Sequence, residues 1–274
     1  MKRYLLIIDP QNDFCLSDGA LCVPNADKDM QRLAAFISTH INSIDDIYVT
    51  LDQHLPLHIA HPYMWIDANG NNPEPFTLIT AEDVLSRKWI TRQPMVYKVP
   101  GQDISIPWAQ HYTSELEKGK KFTLCIWPEH CLIGSTGAAV YADLHKELNE
   151  WQRQRFATVN YLTKGENFKV ESYSAIKAEV EDPFDPKTKL NSELISLLED
   201  PEVTEVIIAG EALSHCVAST VTDIANNLVM PQSINKFVIL KDCCSSVGGF
   251  EDQGEQFLKE MSLRGMRIQT TKEF

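Results

Sequence analysis

The chain has 274 residues, 43% hydrophobic and 23% charged, which supplies a sizeable core and excludes a disordered, collagenous or disulfide-stapled polypeptide. Lys+Arg 25 against Asp+Glu 38 leaves a formal net charge of -13, which repels a phosphate backbone and argues against nucleic acid as a partner. Its seven cysteines are odd in number, irregularly spaced and free of a CxxC motif, so neither a disulfide framework nor a Cys-rich zinc site is expected.

Met1-Lys2-Arg3 opens like a secretory leader, but the apolar run that follows stops at Asp9, short of the roughly 7–15 residues a leader needs. No stretch approaches the ~20 apolar residues of a membrane helix, so a cytoplasmic protein with no membrane partner is expected. Residues 4–8, 47–51, 122–126, 156–161, 203–209 and 237–240 are nearly continuous apolar runs too short for helices, which predicts buried parallel strands, with 266–270 as a seventh. Between them, residues 27–40, 138–151, 191–198, 217–227 and 253–264 carry apolar side chains at three- and four-residue spacing, as helices with one buried face do. This alternation predicts a doubly wound, three-layer α/β/α fold around a mainly parallel sheet of six to seven strands.

One stretch breaks the rhythm. Residues 62–120 are rich in Pro, Asn and aromatics and far exceed an ordinary connection of about 4–6 residues, so they read as an insertion within a single domain spanning 1–274. The basic cluster Lys118-Gly119-Lys120-Lys121 at its end reads as a solvated strand entrance.

In a sheet of this kind ligands bind beyond the carboxyl ends of the strands. There the chain places Asp9-Pro-Gln-Asn-Asp-Phe14, Asp52-Gln-His54-Leu-Pro-Leu-His58, Trp127-Pro-Glu-His130-Cys131, Lys164-Gly165 and Gly210-Glu-Ala-Leu-Ser-His215-Cys216. Cys216 follows a strand and begins a helical pattern, where backbone N–H groups favour a thiolate and could hold an oxyanion; a small cysteine packing a helix start fits the same position. Asp9 ends an apolar strand and needs a partner, for which Lys164 is a candidate; capping the next loop through Asn12 and Asp13 is the alternative. Asp52 and His54, two apart in extended chain, project to one side and could share an ion with His130, a donor set suited to Zn, Fe(II) or Mn, with His58 and His61 nearby. Two histidines in a polar loop could equally be surface residues. Gly134-Ser-Thr-Gly137 lacks the lysine of a phosphate loop and reads as a turn into the next helix, and Cys243-Cys244 reads as packing.

These segments together resemble the isochorismatase-like cysteine hydrolases, and among them the nicotinamidases. Asp9-Pro-Gln-Asn-Asp-Phe14 is similar to the family's opening motif, Gly210 to Val217 to its nucleophile loop, Asp52-x-His54-x-x-x-His58 and Trp127 to Ala138 to its metal segments, and Lys164-Gly165 with Tyr173-Ser174 to its lysine segment. The resemblance runs in family order from residue 1 to about 245, apart from the insertion.

The resemblance implies an Asp9, Lys164 and Cys216 triad with Cys216 as nucleophile and Asp9 as acid/base. It implies an oxyanion hole from the Ala212 and Cys216 amides beside a cis Glu211–Ala212 peptide, one divalent metal on Asp52, His54 and His130, and a substrate ring flanked by Phe14 and Trp127. Because isochorismatases generally lack the metal, it further implies hydrolysis of nicotinamide to nicotinate and ammonia through a thioester, in NAD salvage. Another small carboxamide or ureido substrate, or a silent homologue acting as a binding module, are the alternatives. Two motifs depart from the family pattern: Gln53 stands where Trp is usual, and Leu213-Ser214 where Thr-Asp is usual. Family members commonly self-associate, so a homo-oligomer is expected, with Tyr63, Trp65 and Trp89 of the insertion offering apolar surface.

Overall fold

The computed structural model describes residues 1–99, 101–119 and 122–274; Lys120 and Lys121 of the basic cluster lie outside them. Among the described residues six strands form the central sheet: β1 (Lys2–Ile8), β2 (Asp46–Asp52), β3 (Asn160–Lys164), β4 (Val203–Gly210), β5 (Phe237–Leu240) and β6 (Arg267–Gln269). Their order is β6-β5-β4-β1-β2-β3 and every pairing is parallel. Leu5 to Ile8 in β1 and Val206 to Ala209 in β4 have no exposed surface, which is why these strands read as unbroken apolar runs instead of alternating ones.

The longer helices among the described residues are α1 (Ala26–His40), α2 (Trp108–Gly119), α3 (Ala142–Arg155), α4 (Ser192–Glu199), α5 (Ala218–Asn227) and α6 (Glu251–Arg264). From β1 the chain steps outward to β2 and β3, then returns to the other side of β1 for β4, β5 and β6. Right-handed crossovers running in opposite directions put their helices on opposite faces, so α1 and α3 pack together on one face and α5 and α6 on the other. The direction reverses between β1 and β4, and that switch point is where a crevice opens above the strand ends.

Three expectations need correction. Residues 122–126 do not join the central sheet: only Leu124–Cys125 is a strand, pairing antiparallel with Leu78–Ile79. Its neighbour Ile126 donates to Thr77 O and accepts from Phe76 N, so the insertion uses the backbone groups a central strand would need. The strand expected at 156–161 begins only at Asn160, because Phe156 is the left-handed C-cap of α3 and is 96% exposed. The helix expected at 138–151 runs instead from Ala142 to Arg155, since residues 136–139 hydrogen-bond to the loop after β1 through Asn12 and Asp13.

The stretch from 62 to 119 carries two-stranded pairs at Trp65–Ile66 with Ile90–Thr91 and at Val96–Lys98 with Ser105–Pro107, a short helix Ala81–Leu85 closed by a Thr80/Asp83 capping box, and α2. Of the three aromatic residues expected on its surface, Tyr63 is exposed, whereas Trp65 is fully buried and its indole donates to Ile59 O at 2.6 Å, and Trp89 is half-buried.

Candidate active site

Parallel register assembles the crevice. Ile8, the last residue of β1, lies opposite Gly210, the last of β4, and Asp52 lies opposite Lys164 at the ends of β2 and β3. Asp9 therefore emerges beside the Gly210–Cys216 loop, and Lys164 beside Asp52. At Gly210 a β-carbon would collide with the backbone of Ile8, so only glycine lets the two strand ends lie this close.

Lys164 lies at the centre. Its Nζ is 3.0 Å from Asp9 Oδ2, 3.1 Å from Asp52 Oδ1 and 3.7 Å from Cys216 Sγ, and it donates to Ser172 O at 2.8 Å. The other Asp9 oxygen accepts from Thr50 Oγ1 at 2.5 Å, so Asp9 is held by an ammonium and a hydroxyl and does not cap the following loop. Burial raises the Asp9 carboxyl above the usual carboxylate range, with Lys164 pulling the other way. Burial likewise pushes the Cys216 thiol well up, again opposed by Lys164. Burial alone would lower Lys164, but Asp52 and Asp9 outweigh it and keep the ammonium charged. The resting cluster thus holds a neutral thiol next to a carboxylate with a raised proton affinity, a pairing suited to proton transfer.

Cys216 sits in a single π-helical turn, Leu213–Val217, leading into α5. The Glu211–Ala212 peptide before it is cis. Leu213 N donates to Ser245 O, and His215 N and Val217 N both donate to Ala212 O; the amides of Ala212 and Cys216 take no part in these bonds.

On the far side of Lys164, Asp52 Oδ2 lies 3.0 Å from His54 Nε2 and 3.7 Å from His130 Nε2. Burial works against the Asp52 charge, yet His54 and Lys164 hold its carboxyl well below the ordinary range. Gln11 grips the Asp52 backbone from both sides, donating to its carbonyl and accepting from its N–H, each at 2.6 Å. His130 is placed by the 124–132 segment, which runs beside β2 through a bridge between His54 and Leu132 and not through a sheet strand. His54 Nδ1 is buried without a hydrogen-bond partner among the described residues, and its Nε2 faces the Asp52 carboxylate. Gly165, at φ +80°, keeps the space beside them open, since a β-carbon there would lie 2.6 Å from Asp52 Oδ1. Buried imidazole nitrogens, one of them orphaned, beside an ionised carboxylate are a donor set that fits a divalent cation.

A small cavity connects the two halves, walled by Phe14, Trp127, Tyr173 and His215 and bordered by Cys216 and Asp52. The Trp127 indole donates to Tyr173 OH at 2.9 Å, fixing one wall. His215 is held through its Nδ1 by Ser214 Oγ at 2.9 Å, and burial pulls its imidazole down to about 4, so it is a neutral part of the wall. A larger cavity of about 490 Å³ lies between β3 and the 185–193 segment and reaches Lys164 but not Cys216, so it is not where the thiol opens.

The structure therefore brings together Asp9, Lys164, Cys216, Asp52, His54, His130, Phe14 and Trp127. It adds residues to which the sequence reading gave no role: Thr50, Gln11, His215 and Glu171, a buried acid on the cavity wall. Gln11 was visible as part of the Asp-x-Gln motif; Thr50 could have been found from its i, i+2 relation to Asp52, whereas nothing local singles out Glu171.

No family model matches the chain. It is 26% identical to the nicotinamidase of Escherichia coli (strain K12) over 268 residues, 98% of this chain and 94% of that protein. Among solved structures, the yeast nicotinamidase bound to the inhibitor nicotinaldehyde superposes with a TM-score of 0.63 at 20% identity, covering 98% of this chain and 99% of that one. The fold is that of a nicotinamidase, an isochorismatase-like hydrolase. The pyrazinamidase of Pyrococcus horikoshii, solved in complex with zinc, shares the nicotinamidase fold with a TM-score of 0.55 at 21% identity, over 98% of this chain and 99% of that one. Among the described residues no helix is long and apolar enough to cross a membrane.

Proposed function

We propose that the protein is a metal-assisted cysteine amidohydrolase that converts nicotinamide to nicotinate and ammonia. One observation carries the proposal: a single buried ammonium, Lys164, touches the carboxylate and thiol of one candidate reaction centre and the carboxylate of an adjoining histidine cluster, at the edge of an aromatic-walled cavity.

In this reading Asp9 takes the Cys216 proton as Sγ attacks the carboxamide carbon, and the Ala212 and Cys216 N–H groups receive the developing oxyanion. Asp9 returns that proton to the amide nitrogen, the C–N bond breaks, and ammonia leaves a nicotinoyl thioester on Cys216. Asp9 then removes a proton from water as it attacks the thioester, the C–S bond breaks, the proton returns to Cys216, and the released nicotinic acid ionises to nicotinate, its proton taken up by the ammonia. Lys164 stays charged throughout and orients both partners. Asp52, His54 and His130 would hold a divalent ion, zinc with iron or manganese as alternatives, which when bound would supply a Lewis acid for the ring nitrogen of the substrate. Phe14 and Trp127 flank the ring. A place in NAD salvage, a cytoplasmic location and a homo-oligomeric state belong to the same proposal.

A second substrate reading, another small carboxamide, is favoured by the neutral imidazole of His215, which adds a polar group to the wall formed with Phe14, Trp127 and Tyr173. Ammonia release by the metal-replete protein from nicotinamide and a panel of other amides, beside Cys216→Ala, tests both. Turnover of nicotinamide that vanishes in the variant supports the first reading. Turnover of another amide alone supports the second, and no turnover of any amide with Cys216 still reactive toward thiol reagents removes both.

A further inference from the structure

Five histidine and aspartate side chains crowd the end of β2, and hydrogen bonding sorts them. Asp52, His54 and His130 form one group whose ligand atoms lie within 4.8 Å of one another, and His54, His58 and His61 form another. His58 and His61 are both fully buried, so each ring nitrogen must be accounted for.

His58 has no free nitrogen. Its Nδ1 accepts from the Ala60 N–H at 3.3 Å, so that nitrogen carries no proton, and its Nε2 must donate to Val170 O, 3.0 Å away. Both positions are filled and the neutral ring is satisfied.

His61 is different. Its Nδ1 lies 3.1 Å from Leu55 O, and because a carbonyl only accepts, Nδ1 must carry the proton. Its Nε2 then presents a bare lone pair, buried and without a partner among the described residues. His130 repeats the arrangement: Nδ1 lies 2.8 Å from Pro128 O, so its Nε2 is the free nitrogen facing Asp52. An imidazole that donates one N–H to a backbone carbonyl and offers the other nitrogen is the usual outer support of a metal-binding histidine. The His61 ring adjoins both candidate ligands, with centroids 5.2 Å from His54 and 5.5 Å from His130.

We propose that His61 is a further protein ligand of the metal, making the donor set one carboxylate and three imidazoles, while His58 supports the site without binding the ion. This extends the metal reading given above and has its own test. X-ray absorption of the unsubstituted protein loaded with Zn²⁺ counts imidazoles directly: three are expected, and two would overturn the assignment. Chelator competition should show Zn²⁺ binding weakened about tenfold or more in His61→Asn, and the visible ligand-field spectrum of the Co²⁺-loaded protein should change in the same variant. Unchanged affinity and spectrum in folded His61→Asn, with loss of binding in folded His58→Gln, would reverse the two roles. If the purified protein takes up neither Zn²⁺ nor Co²⁺, the metal reading itself fails. Uptake through two imidazoles leaves that reading standing and removes only His61.

Discussion

Replacing Lys164 by Met is the most informative single perturbation, because the same side chain supports both stability and chemistry. The substitution keeps an unbranched side chain one atom shorter and removes one charge that is only 5% exposed and lies 3.0 Å from Asp9 and 3.1 Å from Asp52. Two buried carboxylates then face each other with no cation between them. Breaking a buried pair by removing one partner costs about 3–5 kcal/mol. At about 2–4 °C per kcal/mol for a chain of this order of size, the melting temperature of the metal-free protein should fall by about 6–20 °C. The loss should also depend on pH with a definite sign. Burial already raises the Asp9 pKa, and without Lys164 it rises further, so the folded variant binds more protons than its unfolded chain above the usual carboxylate range. Stability of the variant should therefore fall as pH rises, making the deficit larger at pH 8 than at pH 5. Thermal unfolding followed by circular dichroism at the two pH values, with chelator present, measures both effects. A melting temperature within about 2 °C of the parent at pH 8, or an equal deficit at both pH values, would refute the bridging role assigned to Lys164.

Further expectations concern individual atoms of the site. Cys216→Ala should lower amide turnover by about 10⁴-fold or more while leaving the melting temperature nearly unchanged, as single losses from a nucleophile–base unit do; ammonia release and calorimetry check the two halves. Gly165→Ala places a β-carbon 2.6 Å from Asp52 Oδ1 at a left-handed φ, so bound metal measured by elemental analysis should fall while the circular dichroism spectrum is retained. His215→Phe removes a buried imidazole whose pKa is pulled down to about 4, below its unfolded value near 6.5. The parent must lose stability as pH falls through that window, and the variant should lose up to about 3 kcal/mol less between pH 6.5 and 4, seen as a shallower pH dependence in urea unfolding.

The parts of the fold legible in the sequence are those set by burial on both faces. The strands read at 4–8, 203–209 and 237–240 coincide closely with observed ones because continuous apolar runs have few other uses. Residues 122–126 carry the same signal and were misplaced, since an apolar run does not state which backbone will pair with it, and here residues 76–79 of the insertion do so. Phe156 misled for a related reason: its apolar side chain ends a helix in solvent and does not begin a strand. Most of the candidate site was legible because its polar residues directly follow apolar strands, and register then brings Asp52 and Lys164 side by side. His58 and His61 look alike in sequence. Each ring meets one backbone carbonyl, that of Val170 or Leu55, and it is the Ala60 N–H on the second nitrogen of His58 that distinguishes them.

The position of β1 also has a consequence for how the chain is made. β1 leaves the ribosome before the other strands of its sheet yet lies in the middle of it, and β2 can cover one of its edges almost at once. The other edge is reserved for β4, nearly two hundred residues later. At synthesis rates of about 5–20 residues per second, that edge stays open for roughly 10–40 s in every nascent molecule. During that interval the apolar strand Lys2–Ile8 is a template for any passing strand, so the yield of folded protein should depend on chaperone supply and translation speed far more than the stability of the finished sheet would suggest.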